Sequence, residues 1–238
     1  PPAGCPTAGR PPGGAAPTRP GAPTWPPAIA AARLGCTAVG VDYVPALLER
    51  GRRRAAAEGL QVELVEGDAE ALPYPDASFD AVTSVFGSMF APDHARAATE
   101  LLRVCRPGGT VALASWTPEG FIGELFRTVG MHVPPPAGVP APMLWGTEGH
   151  LRELFGAGIT ALEVTERTFT WRFRSAEEFV ALFRLWYGPT VKAFAALEGD
   201  ARDALEDDLV ALARRWDRLG TDAIAIPATY TEAVAITR

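Results

Sequence analysis

From about Ile29 onward the apolar positions switch between two periods, and the switching predicts strands and helices taking turns. Thr37 to Val41 is a short apolar run suited to a buried strand, and Pro45 to Glu58 reads as the helix after it, closed by Gly59. Val62 to Val65 and Phe79 to Val85 read as two further strands, separated by a loop through Pro73 and Pro75. Ala95 to Arg106 carries Leu101, Leu102 and Cys105 at helical spacing and stops at Pro107-Gly108-Gly109. Thr110 to Trp116, dense in Val, Leu and Ala, is the fourth strand of a sheet covered on both faces. Strand and helix alternating in this way predict a doubly wound α/β fold with a largely parallel sheet.

The second half follows a different pattern. Gly120 to Val129 and Thr147 to Phe155 read as helices around a Pro-rich stretch from Val133 to Pro142. Ala161 to Phe173 alternates Leu162, Val164, Phe169, Trp171 and Phe173 with polar residues, as a strand exposed on one side does. Ser175 with Glu178 forms a capping box ahead of a helix bearing Phe179, Leu182, Phe183 and Trp186. Asp203 to Leu219 is a further helix and Tyr230 to Thr237 a closing strand.

Residues 1–27 break the pattern: ten of the chain's 23 prolines fall before Ala28, and no acidic residue precedes Asp42. A Pro/Gly/Ala-rich stretch of this kind is expected to be disordered. Its Pro, Ala, Gly, Arg and Thr are also what GC-rich codons yield when read out of frame. We therefore expect a shifted reading frame there and a single folded domain over 28–238, with lid elements at about 131–155 and 175–220. A length of 238 residues suits one domain with an elaboration.

Charge and cysteines narrow the function. The net charge of −6 runs against a protein held on nucleic acid by phosphate contacts. No apolar run approaches the roughly 20 residues of a membrane span, since Phe179 to Leu185 is broken by Arg184. Cys5, Cys36 and Cys105 are odd in number and lack metal-ligand spacing, so neither a disulfide framework nor a metal site is expected, and a cytoplasmic location fits best.

Four segments carry candidate chemistry. Val39-Gly40-Val41-Asp42 is a strand ending in a carboxylate, where a doubly wound fold binds the ribose hydroxyls of a nucleoside. A solvated turn Asp capping the next helix is the equally weighted structural explanation. Glu66-Gly67-Asp68-Ala69 ends the next strand, with Asp68 placed to accept from an adenine amino group, or simply to sit in an acidic surface loop. Val85-Phe86-Gly87-Ser88-Met89-Phe90 sets apolar groups at a third strand end, and Leu101 to Gly109 is a structural helix stop and tight turn.

In this order and spacing the segments GVDYVPALLERGRRRA, VEGDAEALPYPDASFDAV and LLRVCRPGGTVALASW resemble the class I S-adenosylmethionine-dependent methyltransferases, especially the branch of ubiquinone and menaquinone biosynthesis. The resemblance covers residues 29–125 in detail. It implies a Rossmann-like, seven-stranded sheet with Tyr230 to Thr237 as the late antiparallel strand. It implies S-adenosylmethionine as cofactor, with Asp42 on the ribose, Tyr43 against the adenine, Asp68 and Ala69 reading the adenine edge, and Val85 and Phe86 bordering the methionine part. One departure stands out: the family's strand and Gly-rich turn, some twenty residues before the ribose acid, have no counterpart here, and Gly13-Gly14 follows no strand.

Methyl transfer from a sulfonium needs alignment more than a base. If a base acts, His94, after Pro92-Asp93 at a strand end, is the candidate, ahead of His132, His150 and Tyr187. A lid poor in charge implies a small apolar or amphipathic acceptor. Two alternatives remain at this stage: a methyltransferase-like domain that has lost its cofactor turn, and a nicotinamide-dependent oxidoreductase. No Tyr-x-x-x-Lys pair supports the latter. The sequence does not reveal the oligomeric state.

Overall fold

The computed structural model describes residues 26–238. Residues 1–25, with most of the segment expected to be disordered, lie outside the described residues, as does Cys5. The chain divides into two compact units, one ending at Pro73 and one running from Tyr74 to Arg238.

The first unit contains α1 (Pro26–Arg33), β1 (Ala38–Asp42), α2 (Pro45–Ala57) and β2 (Val62–Glu66). Helix α1 begins on Pro26 and Pro27, inside the stretch expected to be disordered; proline suits a first helical turn, where its missing N–H has no partner to lose. β1 and β2 run parallel, with Ala38 beside Val62 and Asp42 beside Glu66, as a strand–helix–strand crossover requires. Leu48, Gly51 and Ala55 form the buried face of α2, and Arg52 reaches across to donate to the Leu64 carbonyl of β2 at 2.7 Å. Cys36 is disulfide-bonded, against the expectation from the odd cysteine count.

The second unit holds β3 (Phe79–Val85), α3 (His94–Val104), β4 (Cys105–Trp116), α4 (Phe121–His132), α5 (Glu148–Phe155), β5 (Ile159–Phe173), α6 (Ala176–Trp186), α7 (Gly188–Ala196), α8 (Gly199–Trp216) and β6 (Ile224–Thr237). Its four strands lie in the order β3-β4-β6-β5, the first pair parallel and the other two antiparallel. The antiparallel placement of the last strand matches the expectation. Among the described residues there are six strands in two sheets rather than seven in one.

β6 is central and rich in alanine: Ala225, Ala228, Ala233 and Ala235 are at most 4% exposed, and small side chains there let helices approach the sheet closely. Leu205, Leu209 and Leu212 of α8 and Phe121, Ile122 and Leu125 of α4 fill the remaining space. β4 opens irregularly: Phe79 pairs with Cys105, and the register then jumps to Ala81 beside Thr110. The bulge holds Gly108 at φ +70°, a left-handed backbone that favours glycine. The Thr237 hydroxyl donates to the Arg106 carbonyl at 2.6 Å and closes it. Cys105 is a buried free thiol beneath this turn. The Ser175 cap is present, its hydroxyl accepting from the Glu178 amide at 3.1 Å. The Glu178 carboxylate instead accepts from the amide of Arg174, one residue earlier than in a reciprocal box. No helix among the described residues is long and apolar enough to cross a membrane.

Two glycines of α4 set a test of this packing. A Cβ on Gly123 would lie 2.0 Å from the Pro118 carbonyl oxygen, whereas one on Gly130 meets nothing nearer than 3.9 Å. Gly123→Ala should destabilise the protein by about 1–3 kcal/mol through overpacking. Gly130→Ala should stabilise it by about 0.5–1 kcal/mol through helix propensity. Urea denaturation of both variants checks the signs, and equal effects would contradict the placement of α4.

Candidate functional site

In the first unit the candidate residues sit where a parallel pair ends. The Gly67 amide donates to the Asp42 carbonyl at 3.0 Å, which ties the turn after β2 to the end of β1. A Cβ at Gly67 would lie 2.8 Å from Val41 Cγ1, so only glycine allows this approach. The structure therefore places Asp42 and the Gly67-Asp68-Ala69 turn on neighbouring strand ends. Asp42 Oδ1 accepts from the Val44 amide at 2.7 Å, an Asx-type turn leading into α2. Burial raises the Asp42 carboxyl pKa, while the Val44 and Tyr43 amides pull it back down. Asp68 repeats the device, with Oδ1 accepting from the Glu70 amide at 2.9 Å. The helix cap weighed for Asp42 is not formed, since α2 has Val44 at its N-cap with no side-chain bond, and each acid instead makes one turn bond to the amide two residues on. It occupies one oxygen of each and fixes the carboxylate's direction. Tyr43 is 68% exposed beside Asp42, which leaves a ring face open to stacking.

In the second unit Val85 ends β3 on the surface, 43% exposed, and Phe86 turns sharply inward. Phe86 adopts φ +54°, a left-handed conformation rare for a bulky residue. Its amide donates to the Ala114 carbonyl at 2.8 Å, and its ring stacks on Trp116 with centroids 4.0 Å apart. Ser84 Oγ accepts from the Ser88 amide at 2.8 Å and closes the turn. Strain of this kind persists only where neighbours over-determine it, and it gathers at functional sites.

Trp116 begins an aromatic wall that the sequence reading missed as a unit. It meets Tyr230 and Trp171 edge-on. Trp171 meets Phe183, Phe183 meets Tyr187, and Tyr187 meets Phe126. The wall forms because β5 and β6 pair along 14 positions while β4 pairs with β6 along only seven, so the β5–β6 pair extends past the carboxyl end of β4. In open α/β sheets ligands bind at the carboxyl ends of strands. The available signal was the length of the alternating run from Ala161 to Phe173, which exceeds what one four-stranded core needs.

The four candidate bases are spread through this unit. His94 is the first residue of α3, 4% exposed, with Nδ1 2.9 Å from His150 Nε2. His132 pairs with Asp208 at 2.7 Å. Tyr187 buries its hydroxyl without a partner among the described residues, and burial pushes its pKa upward. The structure brings His94 and His150 together and leaves His132 and Tyr187 elsewhere.

The donor set of the first unit suits the nucleoside half of S-adenosylmethionine: a directed carboxylate for two hydroxyls, an exposed ring, and a second carboxylate with adjacent amides for an adenine edge. Comparison with known proteins agrees. Residues 21–113 match a family model described as a methyltransferase domain. An uncharacterised protein of Mycobacterium tuberculosis is 42% identical over 192 residues, 79% of this chain and 70% of that protein. A demethylmenaquinone methyltransferase of Deinococcus radiodurans is 44% identical over 102 residues, 42% of each chain. Among solved structures, the YcgJ protein of Bacillus subtilis shares the fold with TM-score 0.54 and 19% identity, over 85% of this chain and 82% of its own. A structure titled a putative methyltransferase, from Bacillus halodurans, does so with TM-score 0.53 and 18% identity, over 84% and 83%. This chain belongs to the class I S-adenosylmethionine-dependent methyltransferase family.

Proposed function

We propose that this chain transfers a methyl group from S-adenosylmethionine to a small apolar or amphipathic acceptor. The observation that carries the reading is the pair of directed carboxylates at the ends of β1 and β2, Asp42 and Asp68, each with one oxygen held by a backbone amide. In this role Asp42 takes the ribose hydroxyls, Tyr43 covers the adenine face, and Asp68 with the Ala69 amide reads the adenine edge. Val85 and Phe86, which the resemblance assigns to the methionine part, belong to the second unit. The cofactor supplies an already activated methyl on a sulfonium, so the protein's task is alignment and exclusion of water.

The acceptor class follows from the aromatic wall. Phe86, Tyr230 and Trp171 are half-buried around the buried Trp116 at the carboxyl end of β4, and rings of this kind favour a flat or apolar molecule over a charged polymer. The demethylmenaquinone methyltransferase likeness supports an acceptor of that character. His94 serves as proton acceptor where the methylated atom carries a proton. The missing Gly-rich turn bears on the methionine half, where backbone amides would otherwise approach the cofactor. We place the protein in the cytoplasm, with no nucleic-acid partner.

Calorimetric titration with S-adenosylhomocysteine tests this reading. Micromolar binding is expected. Asp42→Ala should weaken it by about ten- to a hundredfold, the worth of a hydrogen bond to a charged group. Tyr43→Ala should weaken it by about fivefold or more through lost stacking on the base. Absence of binding by the unaltered chain would mark a methyltransferase fold without cofactor function.

A further inference from the structure

β5 is the outermost strand of its sheet: among the described residues it is bonded to β6 along one edge and to no strand along the other. Between Thr165 and Phe173 its backbone makes no hydrogen bond to any other described element. An open row of N–H and C=O groups is a template for another strand, and chains that must stay apart blunt it with proline, lysine, bulges or a short strand. β5 has none of these over the stretch in question. It runs for 15 residues without proline or lysine, and its irregularity of register lies at the far end, between Ile159 and Ala161.

The side chains along this edge are complementary to themselves about Phe169. When a strand pairs antiparallel with its own copy about a two-fold axis normal to the sheet, each face stays continuous, and positions equally far before and after the axis meet. With the axis at Phe169, Glu166 meets Arg172, Arg167 meets Trp171 and Thr168 meets Thr170, each of them twice. Glu166 and Arg172 are exposed and form no ion pair among the described residues, whereas Arg167 is already bonded to Glu232 at 3.0 Å. Phe169 is 50% exposed and meets its own counterpart. Other axes fit worse: one at Glu166 or Arg167 sets like charges opposite each other, and one at Thr168 leaves Glu166 and Arg172 unmatched. An axis at Thr165 sets Val164 against Glu166 and relies on the occupied Arg167.

We propose that β5 is the interface of a symmetric dimer, in which the β5 strands of two copies pair antiparallel about Phe169 and their sheets join into one. Main-chain hydrogen bonds across the axis supply the attraction, and the side-chain pairs fix the register. The two Phe169 rings leave water against each other, and two Glu166–Arg172 contacts flank them. The occupant of the edge is a second copy because the pattern of charge is complementary to itself. Trp171 lies 6.3 Å from Phe169 between ring centroids and belongs to the ring cluster at the carboxyl end of β4. The pairing therefore sets Arg167 of the second copy at the border of that cluster.

Sedimentation equilibrium of the full chain tests the interface, and a dimer is expected. Arg172→Glu sets carboxylate against carboxylate at both symmetric contacts and should weaken the dimer by about ten- to a hundredfold. Glu166→Arg should do the same. The double variant Glu166→Arg/Arg172→Glu brings opposite charges together again and should recover the dimer, which general damage to the strand would not allow. Glu163→Arg changes the charge of the same strand outside the paired stretch and should leave the dimer unaltered. All three positions are exposed, so the variants are expected to fold, and circular dichroism checks this. A monomeric full chain, a dimer indifferent to Arg172→Glu, or a double variant that stays apart would overturn the proposal. Should the single variants not fold, hydrogen exchange of the unaltered chain over a dilution series decides. Protection of alternate amides from Thr165 to Phe173 that falls on dilution supports the interface, and protection independent of concentration overturns it.

Discussion

The double pairing of β6 is the constraint on which the second unit depends. This strand is hydrogen-bonded along both edges, antiparallel to β4 on one side and to β5 on the other. A strand so placed must be flat-sided and small-residued where helices cover it, and the buried alanines of β6 meet that need. Its start is anchored through Asp217, which accepts from the Ala225 amide at 2.7 Å, and its end through Thr237, which clamps the β4 bulge. Ala225, Ala233 and Ala235 lie on one face of β6 and Ala228 on the other, so small side chains serve both faces.

From that pairing follows the asymmetry of the strand ends. β4 stops at Trp116 opposite Tyr230, but β5 and β6 continue together, carrying Trp171 and Phe173 beyond the sheet proper. The overhang needs cover, and α6 supplies it with Phe179 against Phe173 and Phe183 against Trp171. One geometric fact, a β5–β6 pairing longer than that of β4, thereby produces both the hydrophobic packing of the helices and a cluster of aromatic rings at the end where such folds bind ligands. Phe86 joins this surface only by accepting a left-handed backbone. Stacking on Trp116 and the hydrogen bond to Ala114 offset that cost.

Strands and helices with strong periodicity were legible in the sequence nearly to the residue: Phe79–Val85 needed no correction, and β1, α2, β2 and α5 shifted by a single residue. What escaped was set by tertiary contact. α7 has weak periodicity and is held by Thr190, whose hydroxyl donates to the carbonyls of Phe183 and Tyr187. β6 starts six residues before the alternation around Tyr230 becomes clear, because Ile224 to Ala228 is buried on both faces and reads as a plain apolar run. For the candidate site, the strand-terminal acids were visible as motifs. The backbone amides that direct them were not, since an Asx turn leaves no signature beyond the Asp itself. The His94–His150 pair lies 56 positions apart and has no local signal at all.

The absent Gly-rich turn separates two tasks that the family usually performs together. A glycine turn contributes backbone amides at close range, which bind without a side chain and cannot be replaced by one residue elsewhere. A carboxylate that accepts two ribose hydroxyls acts independently of such a turn, because its geometry is fixed by its own strand end and, at Asp42, by the Val44 amide. Among the described residues β1 pairs only with β2, and β3 only with β4, so each sheet keeps a parallel strand with one edge free and a candidate residue at its carboxyl end. The nucleoside contacts proposed above would therefore rest on β1, β2 and their turns. Binding energy for the adenosine half is expected to survive the missing turn, and the loss falls on the amino-acid half, where the amides would have been.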